Sequence, residues 1–88
     1  MKKEEFQVLK NKINELNNKD IYIEFQDALE YYITIYKGKI LISKNRLFIT
    51  NQNKIDILID LSYLDSIKYI NNTIILQLWN NLKIILDS

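Results

Sequence analysis

Eighty-eight residues with 12 basic and 11 acidic side chains carry a formal charge of +1, and 48% of the chain is apolar. That suffices for one modest core and is too balanced to mark a dedicated polyanion binder or a disordered tail. Histidine and cysteine are both absent, so disulfides, zinc thiolates and Ser-His or Cys-His nucleophile pairs are excluded; an enzyme is not expected, and no cofactor or metal is called for.

The start, MKKEEFQVLKNK, has no apolar run of signal-peptide length, and nowhere does the chain hold an apolar stretch long enough to span a membrane. A cytoplasmic protein is the expectation. Isoleucine occurs 17 times, Lys 11 and Asn 11, against one Ala, one Val, one Gly, one Arg and no Pro. The favoured residues all have AT-rich codons, so a surplus of Lys or Asn is as well explained by a low-GC genome or a mobile element as by function.

Residues 3–17 read as an amphipathic helix, because Phe6, Leu9, Ile13 and Leu16 recur at spacings of three and four among Lys, Glu, Asn and Gln. Two heptads are too few for an independent coiled coil. A helix docked on a sheet is expected, with a dimer seam or partner-binding helix as the alternative. Asn17 and Asn18 end it, since Asn tolerates the left-handed conformation that helix ends need.

From Asp20 the period becomes two. A first strand is predicted over 20–26 with Ile21, Ile23 and Phe25 on one face, and a turn over 27–30. A second strand over 31–37 has Ile33 and Ile35 inward, and the single glycine, Gly38, sits at a break before the third. The third strand, 39–43, and the fourth, 46–50, flank a tight Lys44-Asn45 turn. After a loop at 51–53, the fifth strand, 54–61, sets Ile55, Ile57, Ile59 and Leu61 against Asp56, Leu58 and Asp60, and a one-residue slip would bury the two aspartates. A turn and a weaker strand over 66–70 follow. Strands over 73–79 and 82–87 complete the chain, separated by Asn80-Asn81. The fold class expected is α+β: one helix, then a meander of about eight short antiparallel strands over 20–87 forming one small barrel or sandwich. The connections are too short for parallel crossovers.

The run Gly38-Lys-Ile-Leu-Ile-Ser43, then Arg46-Leu-Phe-Ile-Thr50, then Ile59-Asp60-Leu61 with Leu64 and Ile67 resembles GRAM and bacterial pleckstrin-homology-like domains. In those domains a strand ending in Thr or Ser precedes an Arg-Leu strand, and an Ile-Pro-Leu segment precedes a spaced Ile. The resemblance covers about half the chain. Asp60 stands where Pro is usual, and no long C-terminal helix follows, so the N-terminal helix is the candidate to cap the barrel. The chain is also similar, in second rank, to the Sm-like RNA-binding fold, although it lacks that fold's Asp-Gly turn and Asn-bearing loop.

Two sets of residues are candidates for binding. Tyr22, Tyr32, Tyr36, Leu41, Phe48, Leu58, Ile75, Trp79 and Ile85 all fall on faces opposite the assigned core. Such a surplus is either covered by the helix or forms a patch for a protein partner or for self-association, with Trp79 foremost. The second set is basic: Lys37, Lys39, Lys44, Arg46 and Lys54 lie between Tyr31 and Ile55 with no acidic residue among them. Cations beside aromatic rings suit acidic lipid, RNA or an acidic protein surface, though solvated hairpin ends would look the same. Asp56 and Asp60 share a strand face about 13 Å apart, too far for a shared metal or a glycosidase pair. The expectation is a small non-enzymatic protein-binding module, of the kind a phage or mobile element uses to inhibit a host enzyme, as an anti-CRISPR protein does. The alternative is a barrel that binds acidic lipid or RNA.

Overall fold

The computed structural model describes residues 2–51, 54–79 and 81–88, without the side chains of Ile55 and Asp56. The predicted loop residues Gln52 and Asn53, the turn residue Asn80 and the predicted facing of Ile55 and Asp56 lie outside the described residues.

The three-and-four spacing at the start becomes helix α1 (Lys3–Asn14), with Glu4 and Glu5 in the first turn and Lys12 in the last. These charges complement the helix dipole at both ends. The helix is shorter than the predicted 3–17 because its last residues tighten: Leu16 N–H donates to Ile13 O at 2.9 Å, an i to i−3 bond. The tightening rolls Leu16 inward, so that Leu9, Ile13 and Leu16 are all buried in the core. The apolar stripe is therefore docked on the sheet rather than left as a seam.

Asn18 then takes φ 65°. Its N–H donates to Gly38 O at 2.9 Å, and the Asn17 side-chain oxygen accepts from Ile40 N–H at 2.7 Å. The Asn pair thus ends the helix and ties its exit to the middle of the second strand.

Among the described residues seven strands form one antiparallel sheet that stays open, where a barrel or sandwich was expected: β1 (Lys19–Gln26), β2 (Glu30–Ser43), β3 (Arg46–Asn51), β4 (Lys54–Asp60), β5 (Leu64–Ile70), β6 (Thr73–Leu78) and β7 (Lys83–Asp87). The order is β4-β3-β2-β1-β7-β6-β5, with β4 and β5 at the two edges, joined in sequence by a short 3₁₀ turn, Leu61–Tyr63. Alternating Ile and Leu from every strand, together with the α1 stripe, make one apolar core.

The count is seven rather than eight because the predicted second and third strands are one. No break occurs at Gly38. Instead β2 runs through a bulge, visible as Lys19 pairing with Gly38 but Ile21 with Ile35. Lys37, not the glycine, takes the left-handed φ of 49°, and its N–H is held by the Asp20 carboxylate at 3.1 Å. What Gly38 supplies is room: a Cβ there would sit 2.8 Å from Ile21 Cδ1 and 3.0 Å from Ile35 Cγ2. Past the bulge the strand changes partners, with residues 30–38 pairing with β1 and residues 39–43 with β3. Bulges bend strands and increase their twist, and this one lets a single strand serve two arms of the sheet.

A second irregularity lies in β4, where Ile49 pairs with Ile57 but Thr50 with Ile55. Two further predictions need correction. Ile33, expected inward, is exposed at 40%; its half of β2 lies beyond the reach of β3, which pairs only with residues 39–43. Trp79, expected at the end of a strand, lies just beyond β6, in the turn.

Candidate protein-binding surface

The outward positions of β1 and β2 collect three tyrosines. Tyr22 pairs with Thr34, and Glu24 with Tyr32; Tyr36 is the next outward residue on β2, diagonal to Tyr22 and within reach of a tyrosine ring. On the other flank Tyr22 pairs with Asp87 and Glu24 with Ile85. A shallow cleft of about 330 Å³ lies over this face, lined by Tyr22, Glu24, Tyr32, Thr34, Ile85 and Asp87. Tyr32 is 70% and Tyr36 66% exposed, and Tyr22 is half exposed.

The Tyr32 hydroxyl donates to the Glu30 carboxylate at 2.9 Å. That bond, followed by the hydrogen bond and charge of Glu24, pushes the phenol up to about 12. Tyr32 is thereby kept as a neutral donor, with its ring presented to solvent.

Phe48 and Leu58 occupy a different arm. Leu41 pairs with Phe48, and Phe48 with Leu58, giving an apolar row across β2, β3 and β4. Leu41 and Leu58 are exposed and Phe48 is half-buried. Beside this row Arg46 pairs with Asp60, and Ser43, Lys44, Arg46, Phe48, Asp60 and Ser62 line a second cleft of about 520 Å³. The Asp60 carboxylate accepts from the Ser62 hydroxyl at 2.6 Å and from its N–H at 3.0 Å. The Ser62 hydroxyl first, then its N–H and the charge of Arg46, hold Asp60 below the usual carboxylate range.

Trp79 stands apart from both. The Trp79 ring stacks on Tyr63 of the 3₁₀ turn, with centroids 5.6 Å apart and planes 16° apart, and the Trp79 backbone N–H donates to Tyr63 O at 3.0 Å. The pair ties the β6–β7 turn to the segment joining β4 and β5. Of the nine residues predicted to face outward, the structure therefore groups Tyr22, Tyr32 and Tyr36 with Ile85 and, paired across from it on β6, Ile75. It groups Leu41, Phe48 and Leu58 separately, and sets Trp79 at a turn. Tyr63, Tyr31 and Leu29, all exposed, were not among those nine; Tyr31 has the parity of Ile33 and the core-facing Ile35, and Tyr63 sits in a turn without period.

The basic residues are all exposed but do not converge. Lys39 pairs with Thr50, and Lys54 with Asn51, near one end of the β2–β3–β4 arm. Lys44 and Arg46 are at the other end, five residues or about 17 Å away along β2, and Arg46 faces Asp60. Lys37 lies at the bulge, outside that arm, its backbone N–H held by Asp20 and its side chain exposed. A third cleft, about 470 Å³ between α1 and β5, is acidic, with Glu4, Glu5 and Asp65 beside Val8, Ile67 and Tyr69; burial, then the charge of Glu5, pushes the Tyr69 phenol up.

Among the described residues no polar or charged side chain is buried and no three acidic side chains gather as a metal site. No helix among them is long and apolar enough to cross a membrane. No protein-family model, no curated protein and no solved structure matches the chain.

Proposed function

We propose that the chain is a small non-enzymatic protein-binding module that covers a partner with the outer face of β1 and β2. The observation that carries this reading is the grouping of Tyr22, Tyr32 and Tyr36 on one exposed face. Tyrosine gives large rigid contact area with a polar tip and is enriched at interfaces for that reason. The absence of His and Cys from the sequence supports binding over chemistry. Small size and the AT-rich residue choice support the form in which the module occludes a host enzyme on behalf of a phage or mobile element.

A GRAM-like or pleckstrin-like relationship rests on the residue runs Gly38 to Ser43, Arg46 to Thr50 and Ile59 to Leu61, with α1, whose stripe is buried in the core, as the candidate for the capping role. The second reading, acidic lipid or RNA held through Lys37, Lys39, Lys44, Arg46 and Lys54, draws on the acid-free stretch between Tyr31 and Ile55. It is weakened by the Arg46–Asp60 pairing and by the spread of the lysines.

Immobilised chain exposed to a low-GC bacterial lysate and washed at about 0.5 M salt, where exposed charge contacts are screened, should retain one stoichiometric protein. Retention of nucleic acid or membrane material alone, and only at low salt, would support the second reading and sink the first.

A further inference from the structure

The bulge that lets β2 change partners leaves half of one side of it uncovered. Residues 30–38 pair with β1, while β3 pairs only with 39–43; among the described residues no strand pairs with 30–37 on the side away from β1. Eight residues of edge, about 26 Å long, thus offer backbone N–H and C=O groups to whatever strand arrives.

Natural edges of this length are usually blunted by a central lysine, a proline or a covering loop. This one is not. Between Glu30 and Lys37 the sequence is Tyr-Tyr-Ile-Thr-Ile-Tyr, six uncharged residues that are all β-branched or aromatic and so favour strands most. The edge is bare on its outward face, where Tyr32 and Tyr36 stand out, and on the inward side from Tyr31 (54% exposed) to Ile33, before Ile35 enters the core.

The charges lie at the two ends. Asp27 and Glu30 flank one end of the edge, and Lys37 and Lys39 the other. That distribution is self-complementary. We infer that the Glu30–Lys37 edge of β2 pairs antiparallel with the same edge of a second copy, about a two-fold axis perpendicular to the sheet. Antiparallel pairing lays each Glu30 end beside the partner's Lys37 end, twice, as an isologous contact requires, whereas parallel pairing would set acid against acid and base against base.

In such a pair outward residues meet outward residues, so Tyr32 and Tyr36 of the two copies join on one side of a continuous β1-β2-β2-β1 sheet. The tyrosine face then doubles in area and presents two equivalent partner sites. One strand pair is a small interface, so the dimer exchanges with monomer rather than being obligate. The inference stands independently of the partner reading, because it needs no third component.

Sedimentation velocity of the purified full chain, from about 5 to about 500 µM in 0.15 M salt, should show a reversible monomer–dimer equilibrium. Ile33→Lys puts a charge mid-edge on an exposed position and should weaken dimerisation by at least about tenfold, with the far-UV circular dichroism of the monomer unchanged. Glu30→Lys and Lys37→Glu should each weaken it, and the double reversal, which restores opposite charges across the axis, should dimerise better than either single variant. A chain that stays monomeric throughout, a dimer indifferent to Ile33→Lys, or a double reversal no better than its singles would each overturn the inference.

Discussion

Gly38→Ala tests the bend in β2, on which both the fold and the free edge depend. The new methyl would sit 2.8 Å from Ile21 Cδ1 and 3.0 Å from Ile35 Cγ2, closer than side-chain carbons approach. Glycine at 38 does not take a positive φ, so alanine meets no left-handed penalty there, and the stiffer unfolded chain alone would stabilise by about 0.4–1 kcal/mol. Overpacking a core opposes this with about 1–3 kcal/mol. Relief is limited because Ile21 is fully buried and Ile35 nearly so, and both are β-branched.

The net expectation is a loss of about 1–2 kcal/mol, which in a chain of this size lowers Tm by about 5–15 °C. Urea unfolding followed by circular dichroism should show a lower midpoint with an unchanged slope. Ile21→Val removes the nearest carbon and by itself costs about 0.5–1.5 kcal/mol. In the double variant the alanine methyl takes up the vacated space, so the two losses should fall short of additive by about 1 kcal/mol. An alanine variant as stable as the parent, or strictly additive losses, would refute the packing described at the bend.

Two other predictions rest on single side chains. Ile13→Ala should cost about 2–5 kcal/mol by urea unfolding, the range for emptying a fully packed site; a change within about 0.5 kcal/mol, as for an exposed position, would put the α1 stripe outside the core. In a spectrophotometric titration Tyr32 should ionise near about 12 rather than at 10.0, because Glu30 accepts its proton's hydrogen bond and both Glu30 and Glu24 repel a phenolate. The neutral phenol is the favoured form, so Glu30→Gln should move its titration back down toward the ordinary value, and an unchanged titration would mean that the bond is not made.

Much of the fold was legible because isoleucine alternation has only one structural meaning at a period of two. The facing of β1 and the inward set Ile21, Ile23, Ile35, Ile40, Leu47 and Ile49 follow from it directly. The helix stripe was legible for the same reason at the other period. What alternation does not carry is where a strand bends or how far its neighbours reach. Gly38 looked like a break because glycine usually marks one. Here the strained dihedral fell on Lys37, and the glycine only made space between Ile21 and Ile35, a tertiary requirement invisible in local sequence. Ile33 has the parity of a core residue but is exposed, on the half of β2 that β3 does not reach.

The surface was less legible still. Outward parity says which residues leave the core, and it correctly placed Tyr22, Tyr32 and Tyr36. It is silent on which strands share an arm, so one predicted patch became a tyrosine face, a separate Leu41–Phe48–Leu58 row and a Trp79–Tyr63 stack. The basic stretch reads as continuous in sequence, yet the hairpin sends Lys39 and Lys44 to opposite ends.

The most direct test of the proposed binding face compares three forms of the full chain as bait at about 0.5 M salt: the parent, a Tyr22→Ser/Tyr32→Ser/Tyr36→Ser form, and a Lys37→Glu/Lys39→Glu/Lys44→Glu form. All six substituted positions are exposed, so the fold should survive in each. If the tyrosine face is the contact, the parent and the lysine variant retain the same protein and the tyrosine variant loses it. A tyrosine variant that still holds the protein, with the lysine variant losing it, would contradict the account and move the site to the basic arm.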